Sequence, residues 1–446
     1  MDTRINGYCY RTYAKKPGFY EKSLVEKLEI YEETRFLVSA RVSPMLKPSI
    51  FTSNQSPQSK ISNLKSQIEP MRYRRFGKTN LRLSVFSLGT MRYLESEANA
   101  VQTLQAAIAQ GINHLETAKG YGNSEEYLGA ALKAGLGLPR SQLYITTKVP
   151  PTDNGFTMQR WIDASLLRLN LDYIDCLAIH GLNTWEHLNW VKRPDGCMQA
   201  IHQAVADGRV RHLGFSTHGS LELIQAAINT DLFEFVNLHY YYFFQRHHPA
   251  VELAWKKDMG IFIISPADKG GRLYTPPATL TNLCHPLTPL HLGYRFLLSD
   301  PRITTLSLGA ANPGELTEPL KVANCDEPLT PQELEILERL QVHLDKALKT
   351  DKCSQCYACL PCPENINIPE ILRLRNLAVG YDMTDYGQYR YRMFENAGHW
   401  FPGVKGNRCT DCGDCLPRCP EHLDIPALLQ DTHQRLNGAA GRRLWE

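Results

Sequence analysis

The sequence predicts an α/β fold: a (β/α)8 TIM barrel followed by a small, mostly helical domain that is rich in cysteine. From Leu83 to about Asn324, short β-rich runs alternate with helical patterns. Such alternation gives parallel strands joined by right-handed crossovers, and eight units over roughly 240 residues suffice to close a barrel. Beyond the barrel, eight of the chain's 13 cysteines lie between Cys353 and Pro420, and they mark the second domain.

The predicted strands are runs of apolar and β-branched residues bounded by turn signals. They are LSVFSLG, INHLETA, LYITTKV, YIDCLAI, VRHLGFS, FEFVNLH, IFIISPA and ITTLSLG. Helical patterns such as WIDASLLRLN, MQAIHQAVADG, LELIQAAINT and VELAWKKD lie between them. A doubly wound sheet is the alternative architecture, but no G-x-G-x-x-G sequence follows the first strand to support it.

The chain divides into four predicted segments. They are an extension or linker over residues 1–70, the barrel over 71–325, a connecting helix over 326–350 and the cysteine-rich domain over 351–446. The Ser, Gln, Asn and Pro content of the linker buries too little apolar surface to offset the entropy of ordering, so we expect disorder there. Met71 is an alternative to Met1 as the natural start. The long charged pattern PQELEILERLQVHLDKALK predicts the connecting helix, and PEILRLRNLAV and YGQYRYRMFENAG predict helices between the cysteine runs.

Charge and hydropathy exclude two classes of partner. The net charge is +3, and residues 1–70 carry 11 Lys and Arg against 7 Asp and Glu, so the remainder is close to neutral. Nucleic-acid binding requires clustered basic residues that neutralise phosphates, and none is implied here. No apolar run approaches the ~18 residues of a membrane span. We therefore expect neither a nucleic-acid nor a membrane partner.

The cysteine spacing predicts two [4Fe-4S] clusters. Each run reads C-x-x-C-x-x-C and closes with Cys-Pro; the ligands are Cys353, Cys356, Cys359 and Cys362, then Cys409, Cys412, Cys415 and Cys419. Three thiolates at this spacing wrap one cluster, and the fourth commonly binds the other cluster of the pair. The gap before Cys362 is one residue shorter than in the usual bacterial run, so local ligation is the alternative. A zinc site would favour two separated pairs of cysteines, and a disulfide framework belongs to short secreted chains. Iron–sulfur clusters are therefore favoured over both.

The redox compartment follows from the same cysteines. Thiolates that must stay reduced to hold clusters indicate the cytoplasm. The five other cysteines have no ligand spacing, and we interpret them as free thiols; they are Cys9, Cys176, Cys197, Cys284 and Cys325.

Four polar residues follow the second, third and fourth predicted strands and are expected at one mouth of the barrel. Glu116, Lys148 and His180 are each 32 positions apart, one repeat of the fold, and Tyr121 lies in the loop after Glu116. Catalytic groups of such barrels sit at the C-terminal ends of the strands. An ammonium beside a phenol favours the phenolate, Glu116 would anchor the lysine, and His180 would orient a substrate carbonyl. Each residue alone has a packing explanation, but the four together predict proton transfer to an oxygen.

The sequence resembles the aldo-keto reductase family. LETAKGYGNSEEYLG resembles the family signature, which usually has Asp where Glu116 stands, and ITTKV and LAIHGL are similar to the segments that hold its lysine and histidine. The resemblance covers about residues 71–325, beginning with MRYRRFGKTNLRLSVFSLGTM, and the cysteine region resembles the ferredoxin-type domain of one branch. It implies a catalytic tetrad of Glu116, Tyr121, Lys148 and His180. It also implies hydride transfer between a nicotinamide cofactor and a carbonyl or alcohol substrate, with the tyrosine as general acid.

The same resemblance assigns the cofactor contacts. Ser216 and Asn237 match carboxamide-binding positions, and Ser265, Lys269 and Gly270 resemble the pyrophosphate loop. The segment GAANPGELTEPL lacks the basic residues that many members use on the 2′-phosphate of NADP, and Pro319 replaces an asparagine expected near the adenine. The resemblance therefore implies NADH or NADPH as the cofactor without deciding between them. An enzyme that uses no nicotinamide is the alternative.

Two functions follow from these expectations. The first is an iron–sulfur oxidoreductase that exchanges a hydride with a small carbonyl or alcohol substrate and single electrons with a redox partner such as ferredoxin. The second is an electron-transfer or nucleotide-sensing regulatory module with little turnover. Clusters that serve only as structural staples are a third alternative.

Overall fold

The fold was analysed in a computed structural model, which describes residues 71–441. The predictions for residues 1–70 and the thiol of Cys9 lie outside this range. The strands are β1 (Tyr73–Arg75), β2 (Arg82–Ser84), β3 (Phe86–Gly89), β4 (His114–Glu116), β5 (Tyr144–Val149), β6 (Ile174–His180), β7 (Val210–Ser216), β8 (Phe235–Leu238), β9 (Gly260–Ile263) and β10 (Thr305–Leu308). Strands β3–β10 are parallel and form a closed barrel, since β10 pairs with both β9 and β3. The predicted eight-stranded barrel is confirmed.

Helices surround the barrel and form most of the C-terminal region. They are α1 (Glu97–Ala109), α2 (Ser124–Ala134), α3 (Gly155–Leu169), α4 (Trp185–Lys192), α5 (Cys197–Ala206), α6 (Leu221–Ile228), α7 (His248–Lys256), α8 (Ala278–Cys284), α9 (Pro289–Leu298), α10 (Thr317–Leu320), α11 (Pro331–Leu348), α12 (Ile368–Tyr381), α13 (Thr384–Tyr391) and α14 (Ile425–Leu436). Within residues 71–441, none of them is both long and apolar enough to cross a membrane.

The first predicted strand is divided in two at Val85. Its N–H donates to Arg72 O at 2.9 Å, whereas its carbonyl accepts from the N–H of Leu306 at 2.9 Å. The chain therefore changes partner at this residue: β2 pairs antiparallel with β1, and β3 enters the barrel. The sequence predicts a single strand over β2 and β3, because the apolar pattern continues through Val85.

The turn between β1 and β2 closes the N-terminal end of the barrel. Phe76 is fully buried and packs on Phe235, with ring centroids 5.1 Å apart. A Cβ on Gly260, at the start of β9, would lie 2.3 Å from the Phe76 ring, so the close approach requires glycine there. With this end filled by side chains, the opposite end of the strands is the open mouth.

The long charged helix forms as α11 and docks on the barrel. A capping box starts it, because Thr330 and Glu333 bond each other's backbone N–H. Glu333 also accepts from Arg295 Nε of α9 at 2.6 Å, and both side chains are buried. The pair fixes the first turn of α11 against the barrel, so the chain enters the cysteine-rich region in a defined position.

The cysteine-rich region is built around α12, which is buried along almost its whole length. Its two arginines are paired: Arg373 contacts Glu370 at 2.6 Å and Arg375 contacts Asp431 at 2.6 Å. The pairing explains how an arginine-containing helix is buried, because an unpaired charge in the interior is costly.

The second predicted helix of this region is shorter than the pattern suggested. The helix α13 ends at Tyr391, although the YGQYRYRMFENAG pattern continues to Gly398. Asn396 explains the stop, since its Nδ2 donates to Arg392 O at 2.8 Å and to Phe394 O at 3.0 Å. Such side-chain bonds to nearby carbonyls compete with helical hydrogen bonds.

The cysteine-rich region lies over the mouth of the barrel, and both belong to one compact unit. Arg373 Nη1 donates to Phe243 O, after β8, at 3.1 Å. Tyr386 donates to Lys269 O, after β9, at 2.6 Å. These bonds hold α12 and α13 against the loops at the C-terminal ends of two barrel strands.

Candidate active site

The four residues of the expected tetrad lie together at the mouth. Glu116 ends β4, Lys148 is the penultimate residue of β5 and His180 ends β6. Tyr121 is held in a tight turn, with its N–H donating to Ala118 O at 3.0 Å. Lys119 N–H donates to Lys148 O at 3.0 Å and ties that turn to β5. Strand register therefore places the four side chains, as the spacing of one repeat predicted.

Lys148 is the centre of this group. Its side chain is 2% exposed, and its Nζ forms an ion pair with the equally buried Glu116. The same nitrogen donates to Thr117 O at 2.8 Å and to the Tyr121 hydroxyl at 3.1 Å. The three N–H donors of the ammonium therefore have three acceptors: the Glu116 carboxylate, the Thr117 carbonyl and the Tyr121 hydroxyl.

The charge of Lys148 is maintained in spite of its burial. Burial lowers the pKa of this lysine, but the Glu116 carboxylate and Tyr121 raise it, and the net pKa lies above its ordinary value. A positive charge beside a phenol favours the phenolate over the neutral form. The arrangement is therefore suited to making the tyrosine a proton donor.

His180 completes the group and contacts the cysteine-rich region. Its ring meets Tyr121 edge-on, with centroids 5.5 Å apart, and meets Trp400 at 5.2 Å. A Cβ on Gly181 would lie 2.4 Å from the Trp400 ring, and Gly181 has φ +76°. Only glycine fits between the histidine strand and this tryptophan.

The tetrad lines a cavity of about 240 Å³. Barrel residues form its floor and walls, among them Ser216, Ser265 and Lys269. Its roof comes from the cysteine-rich region: Tyr389, Arg390, Met393, Ala397 and Trp400. The sequence reasoning missed these roof residues, and it also missed His218 on the wall. The sequence signal available for them was YGQYRYRMF. Its aromatic and basic residues leave the helix without an ordinary solvent-facing polar side, which suggests that the helix covers something.

The expected cofactor contacts divide between the cavity and the interior. Ser216, Ser265 and Lys269 line the cavity, and Ser265 has a left-handed φ of +52°. Asn237 and Gly270 do not line it. A Cβ on Gly270 would lie 1.9 Å from Pro266 O, so that glycine serves the packing of its own loop.

Asn237 nevertheless carries a feature expected of a ligand site. It pairs with Ser216 in the neighbouring strand and is fully buried. Neither polar atom of its side-chain amide has a hydrogen-bond partner among residues 71–441. Buried polar groups are almost always bonded, so an amide lacking both bonds fits a group that a ligand would complete.

The cysteines of the two runs meet in mixed groups. Cys362, the last cysteine of the first run, lines a small cavity together with Cys409, Cys412 and Cys415 of the second. Burial raises the pKa of the Cys353 thiol, and the nearby thiols of Cys356 and Cys419 act in the same direction. Burial likewise raises the pKa of Cys359 to about 12, and the thiols of Cys353, Cys356 and Cys415 act in the same direction.

Each group offers four thiols, the donor set that a [4Fe-4S] cluster takes. The cavity group is Cys362, Cys409, Cys412 and Cys415, and the remaining four cysteines of the two runs are Cys353, Cys356, Cys359 and Cys419. Gln355 Nε2 also donates to Cys353 Sγ at 3.3 Å, the kind of bond that tunes cluster potential. The cysteines present therefore suffice for two clusters, and the position of Cys362 beside the second run is the one that ligand exchange predicts.

Both the barrel and the cysteine-rich region are similar to known proteins. Residues 352–423 match the 4Fe-4S dicluster domain. An aldo-keto reductase of Mycobacterium sp. (strain MCS) is 35% identical over 151 residues, 32% of this chain and 50% of the relative. Aldo-keto reductase AMT2 of Alternaria alternata is 29% identical over 233 residues, 42% of this chain and 61% of the relative. The matches thus span about half to three fifths of these relatives' lengths.

The barrel also has counterparts among solved structures. Aldo-keto reductase AKR11C1 from Bacillus halodurans, in its holo form, shares the fold with a TM-score of 0.53. Its sequence is 20% identical, and the match covers 60% of this chain and 96% of that chain. The description of the aldo/keto reductase family matches residues 86–342, more than half of the chain. The protein is an oxidoreductase whose chain belongs to the aldo/keto reductase family, with a C-terminal 4Fe-4S dicluster domain.

Proposed function

We propose that the protein reduces a small carbonyl compound, or oxidises the corresponding alcohol, with a nicotinamide cofactor and two [4Fe-4S] clusters. The observation that carries the proposal is the contact of 3.1 Å between Lys148 Nζ and the Tyr121 hydroxyl, beside the ion pair with Glu116. Packing alone does not require a charged lysine at a phenol in the mouth of a barrel. Proton donation to a substrate oxygen does.

The catalytic roles follow from this contact. Tyr121 gives its proton to the carbonyl oxygen, and the Lys148 ammonium stabilises the phenolate that is left. Glu116 keeps Lys148 protonated, and His180 beside the tyrosine orients the carbonyl. In the direction of alcohol oxidation the phenolate takes the proton back. The roof over the cavity reduces access of water to this exchange.

The nicotinamide contacts are proposed from the barrel residues. Ser216 would hold the carboxamide, and Ser265 and Lys269 would hold the phosphates. Asn237 lies outside the cavity lining, but we include it beside Ser216 because both atoms of its buried amide lack partners among the described residues. The bound nicotinamide would supply or accept the hydride. The loop after β10 carries Glu315 and Glu318, both in ion pairs. The segment GAANPGELTEPL itself contains no Lys or Arg that could pair with a 2′-phosphate, so we propose NADH over NADPH.

The clusters are proposed to connect the enzyme to a one-electron partner such as ferredoxin. Cys362 lines a second cavity of about 680 Å³, whose wall is shared with the active-site cavity through His218, Lys269 and Trp400. This neighbourhood supports an electron path between Cys362, a proposed cluster ligand, and the tetrad cavity. When bound, the clusters would exchange single electrons. Their need for reduced thiolates supports a cytoplasmic location.

The test is an assay of the anaerobically purified protein with NADH or NADPH and a panel of aldehydes. We expect aldehyde-dependent oxidation of the nucleotide, faster with NADH. Cluster reduction is followed in the same samples by electron paramagnetic resonance, with and without aldehyde. Nucleotide binding without turnover of any aldehyde would contradict the proposal and would favour the sensing module.

A further inference from the structure

The roof of the active-site cavity carries an arginine with an unusual environment. Arg390 lies near the end of α13 and is 8% exposed. It lines both the catalytic cavity and the second cavity beside it. Its position gives the cysteine-rich region a cationic side chain in the same chamber as the tetrad.

Arg390 has no anionic partner within the described part of the chain. Its Nη1 donates to the sulfur of Met393 at 3.4 Å, its side chain also bonds the neutral Tyr389 hydroxyl, and its guanidinium lies 4.3 Å from the Phe401 ring centroid. Its Nε has no hydrogen-bond partner, and among residues 71–441 no carboxylate lies within ion-pair distance. Arg373 and Arg375, equally buried in the same region, are each paired with a carboxylate.

An unpaired buried cation is costly to a folded protein, since removal from water is not repaid by a partner. Asp268 lines the same cavity and accepts from the Tyr389 hydroxyl at 3.4 Å, but it forms no ion pair with Arg390. The chain thus retains a charge near the cavity that its own acidic residues do not neutralise. A ligand that supplies the anion would offset the cost.

The surrounding wall is suited to an anion. His218 and His239 are joined by a bond of 3.0 Å between ring nitrogens and line the second cavity. Burial lowers the pKa of each ring well below its ordinary value, and the charges of Lys269 and Arg390 lower it further. The imidazoles are therefore neutral. The carboxylates of this cavity, Glu222 and Glu370, are paired with Arg246 and Arg373, and Lys269 and Arg390 add two further cationic side chains.

We propose that Arg390 binds an anionic group of the substrate, so that the enzyme acts on carbonyl compounds that carry a carboxylate or a phosphate. The proposal rests on the proposed function, because it names the substrate class of the same site. The carbonyl lies at the tetrad on the barrel side, and the anion lies at the roof. A guanidinium offers paired N–H donors that match two oxygens of such a group. Substrate selection is then a role of the cysteine-rich region.

The kinetic test compares 4-carboxybenzaldehyde with 4-methylbenzaldehyde, a neutral compound of similar size. A hydrogen bond to a charged group contributes about 1.5–3 kcal/mol, so the native enzyme should favour the carboxylate by about 10- to 100-fold in kcat/KM. Arg390→Met should reduce this ratio to about one, and Arg390→Lys should retain part of it. Arg435→Met is the control, because Arg435 is exposed, pairs with Asp431 and lines neither cavity. An unchanged ratio in Arg390→Met would overturn the proposal.

A second arm separates the substrate from the nucleotide as the source of the anion. The dissociation constant for NADH is measured by calorimetry in native protein and in Arg390→Met. An equal constant supports the proposal. A weakened NADH affinity together with an unchanged aldehyde ratio would assign Arg390 to the nucleotide phosphates and overturn it.

A third arm does not depend on turnover. Calorimetric titration with 4-methylbenzoate should show binding to native protein and to Arg435→Met but not to Arg390→Met. Binding of this probe without reduction of any aldehyde would sink the proposed activity while the arginine site stands. The thermal midpoint of Arg390→Met should equal or exceed the native value, because the variant loses an unpaired buried charge. A lower midpoint with unchanged probe binding would show a merely structural arginine.

Discussion

At the scale of single residues, the site depends on one buried cation. Lys148 is surrounded by the interior of the barrel mouth, where burial alone would favour the neutral amine. The Glu116 carboxylate reverses this, and the pKa of the lysine is raised. The usual aspartate of the family is replaced here by a residue one methylene longer, yet the ion pair forms. Glu116 therefore maintains the charge of Lys148, and in the proposed mechanism that charge stabilises the phenolate of Tyr121.

Glu116→Gln should lose activity first at alkaline pH. In the native protein the pKa of Lys148 lies above its ordinary value of 10.5, so its charge and its contribution to stability persist until the pH rises beyond that value. The variant keeps the burial that lowers the pKa and loses its main opponent, so the charge is lost at a lower pH. The alkaline limb of kcat/KM against pH should therefore shift down. The control is Glu116→Asp, which keeps the charge; an identical shift in both variants would contradict the explanation.

The tetrad could be predicted from the sequence because strand ends repeat every 32 residues in this stretch and parallel strands end on one side. Arg390 and Trp400 could not. Each lies more than 200 residues from its tetrad neighbours along the chain, and no periodicity records which helix covers the mouth. Asn237 was correctly placed on its strand but lies in the interior, because the resemblance does not determine how deep a side chain sits.

At the scale of elements, the position of Cys362 beside the second cysteine run agrees with the proposed exchange of fourth ligands. The Cys-Pro ends of the runs cross between the groups, so that Cys362 lies with the second run and Cys419 with the first. The shortened gap before Cys362 does not prevent this. The exchange makes the two cluster sites depend on each other.

Cys419→Ala should damage the cluster held by Cys353, Cys356 and Cys359 and spare the other. Two cubanes contain about eight irons per chain, so iron should fall by about four. Electron paramagnetic resonance of the reduced protein identifies which signal is lost. Cys325→Ala, a thiol outside both groups, should keep the full iron content. Selective loss of the cluster bound by Cys409, Cys412 and Cys415 would show local ligation instead.

Most barrel elements could be read from the sequence because apolar runs and helical periods report local burial. The hairpin of β1 and β2 could not, since Leu83 to Gly89 is one apolar run that changes partner at Val85. The end of α13 was also missed. A side-chain bond from Asn396 decides it, and the pattern of apolar residues does not show that bond.

At the scale of the whole molecule, the cysteine-rich region is a part of the active site. Its residues close the cavity from above, and Trp400 lies against both His180 and His218. The loop that carries Trp400 joins α13 to the second cysteine run, so its position depends on the fold around the clusters. The fold around the cysteine runs therefore determines the position of residues that cover the tetrad.

Removal of the clusters with an iron chelator should lower turnover of carbonyl substrates even though no tetrad residue changes. The expected reason is loss of the roof, which orients the substrate and excludes water. Hydrogen exchange should rise in residues 384–401 and stay low in the barrel strands. Native turnover by a cluster-free protein with unprotected roof residues would refute this coupling.

The most direct test of the account is Tyr121→Phe, which removes only the hydroxyl that contacts Lys148. General acid catalysis contributes about 10²- to 10⁴-fold, so turnover of carbonyl substrates should fall by about that factor. Lys148→Met should impair the same step, and the two losses should not add in the double variant. Tyr144→Phe is the control, because Tyr144 begins β5 at the opposite end of the barrel.

The measurement is kcat/KM for an aldehyde, taken with cluster absorbance and NADH affinity on the same preparations. We expect a large loss of turnover in Tyr121→Phe, with cluster absorbance and NADH affinity unchanged. Native turnover in Tyr121→Phe would contradict it, because the tetrad would then have no part in the chemistry.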